Sequence, residues 1–118
     1  MTDLYTITLL LIAHFIGDFI LQTDGQAKGK SSSNLTLFQH ISTYIIPLTM
    51  IGFLIPISFA FLLFNFVAHF CTDWVTSRIT KKLWAEGKVH NFFVVIGFDQ
   101  MVHALTLIWS YEYFSWYM

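Results

Sequence analysis

Charged side chains are scarce in this sequence, which excludes most soluble folds of its size. Only 11% of the 118 residues are Asp, Glu, Lys or Arg, whereas 56% are hydrophobic. A typical soluble domain carries about 25% charged residues, so this chain has too few of them to cover a soluble surface. There is also no basic arm or basic helix that would predict a nucleic-acid partner. We therefore predict an integral membrane protein.

Cysteine is nearly absent, and the common catalytic signatures are missing. The single Cys71 cannot form an intramolecular disulfide, and its apolar surroundings predict a small buried side chain. The sequence has no Gly-x-Ser-x-Gly, Ser-x-x-Lys, P-loop or dinucleotide-binding motif. The N-terminus lacks the basic region and the small-residue cleavage site of a signal peptide. We therefore expect the first apolar segment to be retained as a transmembrane helix.

Four apolar segments are long enough to cross a bilayer core as helices. They cover residues 4–22, 35–53, 56–77 and 91–111. Pro47 should bend the second segment. Gly52 and Pro56 bracket a tight turn, which predicts an antiparallel hairpin of the second and third segments. We predict an all-α fold, a single transmembrane domain over residues 1–118 that forms a four-helix bundle.

The basic residues are confined to two connecting loops. All six Lys and Arg follow either the first or the third segment. The positive-inside rule then places both loops in the cytoplasm and both termini outside, in a multi-pass protein of the inner (cytoplasmic) membrane. These residues could simply set the topology and contact anionic lipids, or they could draw an anionic head group or a phosphorylated metabolite toward the protein.

Three of the segments each carry an aspartate and a histidine four residues apart. The pairs are His14 and Asp18, His69 and Asp73, and, in reverse order, Asp99 and His103. Residues i and i+4 share a helix face, and Gln22 extends the first stripe. Because the fourth segment runs opposite to the first and third, all three carboxylates fall nearer the cytoplasm and the imidazoles roughly 6 Å deeper. His40 falls near the carboxylate layer, and Gln100 lies beside Asp99.

Ionisable groups inside a membrane are expensive unless they face a partner or a water-filled cavity, so these pairs predict one shared site. Clustered carboxylates would repel unless a cation neutralised them, and carboxylate and imidazole ligands suit Zn, Mn or Fe(II). The predicted metal ligands are His14, Asp18, His40, His69, Asp73, Asp99 and His103. We predict a metal-dependent hydrolase of a lipid-linked or phosphorylated substrate. The predicted catalytic residues are Asp18, Asp73, Asp99, Gln22 and Gln100, of which the two glutamines orient water or substrate.

Other interpretations of the same residues stay open. The pairs could be structural hydrogen bonds between helices, or they could share protons without a metal in a proton- or metal-coupled transporter. The protein could also be a non-enzymatic effector that binds a host envelope protein. Membrane lipids are expected neighbours in each case, and the aromatic faces predict a homo-oligomer.

The order of these motifs resembles that of one family of small polytopic membrane proteins. His-x-x-Gly-Asp-Phe-x-x-Gln at residues 14–22 and Asp-Gln-x-x-His at residues 99–103, with His40 between them, are similar to the motifs of the domain-of-unknown-function 3307 family. The resemblance covers nearly the whole chain. It implies a polytopic membrane fold in bacteria or their phages and supports the His and Asp positions as a site, but it implies no particular reaction.

Overall fold

The computed structural model describes residues 2–118, and every regular element in that range is helical. Five α-helices follow one another: α1 (Leu4–Phe15), α2 (Asp24–Gly29), α3 (Asn34–Met50), α4 (Phe59–Ala85) and α5 (Val89–Ser115). A π-helical turn over Ile16–Ile20 continues α1, and a 3-10 turn over Ile51–Phe53 follows α3. The all-α fold class is therefore confirmed.

Side-chain caps fix where four of the helices begin. Asp3, Ser33 and Ser58 precede α1, α3 and α4, and each accepts a hydrogen bond from the backbone N–H three residues further on. Thr23 precedes α2 and forms a capping box with the side chain three residues on. The hydrogen bonds from Thr6 hold the pKa of the Asp3 carboxyl below its usual value. These short polar segments therefore end one helix and start the next.

The helices follow the order of the four predicted segments but differ from them in extent. The predicted loop after the first segment contains α2, because the capping box stabilises a turn of helix there. The third segment continues as α4 from its predicted end at residue 77 to Ala85, so Arg78, Lys81 and Lys82 lie on a helix rather than in a loop. No Gly or Pro interrupts this stretch before Gly87, whose φ of +72° is the left-handed conformation that ends helices.

Two of the helices are long and apolar enough to cross a membrane by length and composition. These are α4 and α5, with 27 residues each. The first apolar helix, Leu4–Ile20, is shorter, and α3 has 17 residues. That four helices cross the membrane therefore stays a prediction.

Polar side chains fill much of the interior, and large apolar side chains cover much of the outside. His40 is fully buried and Asp73 is 1% exposed, whereas Phe53 is 91% and Phe59 78% exposed. This distribution is the reverse of that in a soluble domain. Cys71 is also exposed, which corrects the expectation of a buried thiol: two residues from His69 and Asp73, it points to the opposite face of α4.

An apolar layer closes the bundle at the end where α1 begins and α5 finishes. Leu10, Leu48, Phe61, Leu107 and Tyr111 pack together there. In α1, α3, α4 and α5, the side chains buried one or two turns closer to the basic end of α4 are mostly polar. The functional candidates therefore lie inside the bundle, between the apolar layer and the lysines.

Candidate metal centre

Seven buried ionisable side chains meet between the helices, and we call them the Asp/His cluster. They are His14, Asp18, His40, His69, Asp73, Asp99 and His103. They come from α1, the π-helical turn, α3, α4 and α5, and none is more than 7% exposed. The predicted convergence of the three pairs and of His40 is thus confirmed.

The i, i+4 spacing brings each predicted pair into contact. His69 Nε2 lies 3.1 Å from Asp73 Oδ2, and His103 Nε2 lies 3.2 Å from an oxygen of Asp99. The first pair is looser, with 4.0 Å between His14 Nε2 and Asp18 Oδ2. Asp18 lies in the π-helical turn, whose i→i+5 hydrogen bonding shifts its side chain relative to an α-helix. It therefore faces α3 and α4 as well as its own helix.

Four donor atoms form a closed ring at the centre of the cluster. Asp18 Oδ1 lies 3.0 Å from His40 Nε2 and 3.3 Å from His69 Nε2. Asp73 Oδ2 lies 3.2 Å and 3.1 Å from the same two nitrogens. In a tetrahedral zinc site with bonds of about 2.0–2.1 Å, neighbouring ligand atoms are about 3.3 Å apart. The ring has the size and the donor chemistry to hold a metal ion.

A second group of possible ligands adjoins this ring. Asp18, Asp99 and His103 also bring donor atoms together closely enough to hold an ion. The Gln100 amide donates hydrogen bonds to Asp18 Oδ2 and Asp99 Oδ2, over 3.2 Å and 3.1 Å, and so orients both carboxylates. Asp73 Oδ1 lies 2.9 Å from His103 Nε2. Asp18 belongs to both groups, so its carboxylate is shared between them.

His14 and Gln22 lie at or beyond the margin of the cluster. His14 Nε2 lies 2.8 Å from Gln100 Oε1. His14 belongs neither to the ring of four possible ligands nor to the adjoining group of three. Gln22 follows the π-helical turn, which ends at Ile20, and its side chain lines a groove at the basic end of the bundle. The predicted stripe therefore stops at Asp18, because the helix that would carry it to Gln22 has already ended.

Three residues contact the cluster that the sequence analysis did not select. Tyr44 places its hydroxyl 3.4 Å from His14 Nδ1 and its ring 4.0 Å from the ring of His69. Thr76 donates a hydrogen bond to Asp99, and Lys30 Nζ lies 3.6 Å from Asp73 Oδ2. Tyr44 and Thr76 lie four and three residues after His40 and Asp73, so helical spacing could have identified them. Lys30 carries no such signal, since α2 brings it back to the bundle.

Gly17 allows the π-helical turn to approach α3 closely enough for Asp18 to reach His40. A Cβ atom at Gly17 would lie 2.7 Å from the backbone oxygen of Tyr44 and 3.0 Å from its Cα atom. Backbone atoms cannot move aside as a flexible side chain can. The glycine is therefore needed for the contact that completes the ring of donor atoms.

Comparison with known families identifies one match. A family model described as a protein of unknown function (DUF3307) matches residues 6–118, a range that includes the whole Asp/His cluster. No curated protein and no solved structure matches the chain.

Proposed function

The chain belongs to the DUF3307 family, and we propose that it is a membrane-embedded hydrolase whose Asp/His cluster holds one or two divalent metal ions. The observation that carries the proposal is the ring formed by Asp18, His40, His69 and Asp73. Zn, Mn or Fe(II) suits its carboxylate and imidazole donors.

The charge of the cluster supports a divalent cation. Asp18, Asp73 and Asp99 bring three carboxylates into the interior, and Lys30 places an ammonium group beside Asp73. With neutral imidazoles, two negative charges are left over, and uncompensated buried charge is strongly unfavourable. One divalent ion would supply the missing charge, as would protons on two of the imidazoles; the contacts within the ring distinguish the two.

The number of protons supports the same conclusion. The ring contains four contacts of 3.0–3.3 Å between imidazole Nε2 and carboxylate oxygen. Each Nε2 carries at most one proton, so His40 and His69 together offer two hydrogens for four contacts. A central cation would satisfy all four donor atoms at once.

The cluster has the parts that hydrolysis needs. A bound metal ion would polarise a phosphoryl or acyl oxygen and activate water. Asp18, Asp73, His40 and His69 would hold it, and the amide of Gln100 would keep the carboxylates of Asp18 and Asp99 in place. Asp99 and His103 lie beside this group and are placed to accept the proton that water loses.

The outer surface supports placement in a membrane. Large apolar side chains such as Phe53 and Phe59 are exposed, whereas soluble proteins bury most side chains of this type. We place α1, α3, α4 and α5 across the inner membrane, with the lysine-bearing end of α4 at the cytoplasmic surface and both termini outside. Aromatic side chains such as Trp109 and Trp116 are exposed near the outer end and suit interfacial or subunit contacts.

The apolar layer favours hydrolysis over transport. A carrier needs a polar route from its site to each side of the membrane. Leu10, Leu48, Phe61 and Leu107 pack on the side of the cluster away from the lysines, whereas the opposite side leads to a groove lined by Lys30. The site is therefore accessible from the cytoplasmic side in this arrangement.

The proposal is tested by hydrolysis with purified protein. Chelator-treated protein should be inactive on p-nitrophenyl phosphate and p-nitrophenyl butyrate, and added Zn or Mn should restore turnover of one of them. Asp18→Asn should abolish this activity, whereas Asp24→Asn, which changes an exposed carboxylate of α2, should leave it unchanged. Equal activity of the Asp18→Asn variant would overturn the catalytic role and favour the non-enzymatic effector.

A further inference from the structure

A groove of about 580 Å³ lies at the basic end of the bundle, between α2, the last turns of α4 and the first turns of α5. Its lining includes Lys28, Lys30 and Lys81. In the range 2–118, no Asp or Glu lines this groove, so no carboxylate in the lining balances the charge of the lysines. We call it the lysine groove.

The lysine groove also has an aromatic side. Trp84 and Phe92 lie in contact with ring centroids 5.1 Å apart, and Phe93 follows at 5.2 Å from Phe92. All three line the groove. Phe93 is 61% and Trp84 59% exposed. The groove therefore suits a ligand that combines an anion with an apolar part.

A small cavity adjoins both the lysine groove and the Asp/His cluster. It has a volume of about 40 Å³ and reaches Asp73 and Asp99. It shares four lining residues with the groove, namely Lys30, Ser77, Thr80 and Ile96. An anion bound by the lysines would therefore lie next to the proposed metal centre.

Two buried polar groups that line the groove lack a partner. Ser77 Oγ and Gln22 Oε1 make no hydrogen bond within the part of the chain that the structure describes, and Ser77 is only 8% exposed. Buried polar groups nearly always have a partner. The Ser77 hydroxyl can donate to an anionic oxygen, and the Gln22 amide presents its NH₂ group after a half-turn.

We propose that the lysine groove binds a membrane lipid that ends in a phosphomonoester, and that this lipid is the substrate of the Asp/His cluster. The phosphate lies between the ammonium groups and Ser77, and the acyl chains follow Trp84, Phe92 and Phe93. The substrate claim rests on the proposed hydrolase function.

The charge of the groove selects a monoester over a common diester lipid. A phosphomonoester carries about −1.5 to −2 at neutral pH, since its second pKa is near 6. A phosphatidylcholine phosphate carries a single negative charge and brings a cationic choline toward the lysines. Hydrolysis of the monoester forms a bond between the oxygen of water and phosphorus and breaks the ester P–O bond. The leaving lipid oxygen receives a proton from that water, which yields a lipid alcohol and inorganic phosphate.

Binding of short-chain lipids to chelator-treated protein in detergent tests this inference. We expect dihexanoyl phosphatidic acid to bind more tightly than dihexanoyl phosphatidylcholine and than inorganic phosphate. The double variant Lys28→Gln/Lys81→Gln should weaken binding of phosphatidic acid about thirtyfold, which corresponds to about 2 kcal/mol for the loss of two lysines near an anionic lipid. Lys82→Gln/Lys88→Gln is the matched control, since neither lysine lines the groove and both lie near Glu86.

Each result bears on a different claim. Equal binding of phosphatidic acid and phosphatidylcholine, or an unchanged Lys28→Gln/Lys81→Gln variant, would overturn the site. Inorganic phosphate that binds as tightly as phosphatidic acid would show a free-phosphate site and overturn the lipid claim. The binding measurement is made without metal. If the protein binds the lipid but cannot bind metal, the proposed hydrolase function is overturned and the lipid-phosphate site remains. If the protein binds metal but shows no preference for phosphatidic acid, the lipid-phosphate site is overturned and the metal centre remains.

Discussion

The imidazole rings of His69 and His103 stack face to face, with centroids 3.8 Å apart and planes 5° from parallel. Two imidazolium cations at that separation would repel each other, so the arrangement favours a neutral ring in at least one of them. Each ring directs its Nε2 at a different oxygen of Asp73, over 3.1 Å and 2.9 Å. A neutral imidazole is the ligand state that a metal ion requires.

Gly17→Ala should destabilise the protein by about 1–3 kcal/mol, as expected for overpacking against a rigid neighbour. The new Cβ atom would lie 2.7 Å from the backbone oxygen of Tyr44, so the π-helical turn must move away from α3. Thermal unfolding in detergent measures the effect. Gly97→Ala is the control, because open space surrounds that position in α5 and alanine is the better helix former. Equal unfolding temperatures for the two variants would contradict the tight contact.

Lys30→Gln should strengthen metal binding roughly tenfold, because it removes a positive charge close to a proposed ligand. The ammonium lies 3.6 Å from Asp73 Oδ2 and is partly shielded from solvent. The same substitution should weaken binding of phosphatidic acid, since Lys30 also lines the lysine groove. Competition with a chelating dye measures the first effect, and Lys82→Gln provides the control. A change of metal affinity in the opposite direction would show that Lys30 does not compete with a cation.

Asn65→Leu should lower stability by about 0.6–2 kcal/mol, the range for hydrogen bonds between helices in membranes, without lowering metal content. Asn65 donates to Ser110 over 3.0 Å, on the side of the cluster near the apolar layer. Unfolding and elemental analysis of one preparation separate structural contacts from metal ligands. Loss of metal from this variant would mean that buried polar contacts in general, rather than the Asp/His cluster, control the metal content.

Cysteine labelling tests the membrane placement. Cys71 is exposed on the apolar part of α4, so a membrane-impermeant maleimide should label it in detergent with denaturant but not in intact membranes. In a Cys71→Ser background, Tyr117→Cys should react in spheroplasts, whereas Lys88→Cys should react only after the inner membrane is permeabilised. The reverse pattern for these two positions would contradict the orientation with both termini outside.

The sequence predicts the helices and the cluster because both depend on local spacing. The apolar segments predicted an all-α chain, and the i, i+4 pairs predicted one shared site between the helices. The shift of Asp18 could not be predicted in this way, since no local spacing indicates the π-helical turn that packs Gly17 against the Tyr44 backbone. The basic residues at the end of α4 led to a wrong prediction of a loop. Arg78 and Lys81 suggested a loop, although lysine and arginine are good helix formers.

The position of Lys30 shows a second limit. Its neighbours in sequence are polar, and they predicted a connecting loop at the membrane surface. The capping box at Thr23 instead starts α2, and the turn after that helix brings Lys30 to Asp73. The contact joins residues 43 positions apart, and no local pattern indicates it.

The metal content of the purified protein tests the central claim most directly. Protein prepared without a histidine tag and supplied with Zn or Mn should contain at least one ion per chain by elemental analysis. The count should fall to background in Asp73→Asn and stay unchanged in Asp24→Asn and His90→Ala, whose side chains are exposed and outside the cluster. A wild-type protein that folds normally but binds no divalent metal would contradict the account, as would an Asp73→Asn variant that retains its full complement.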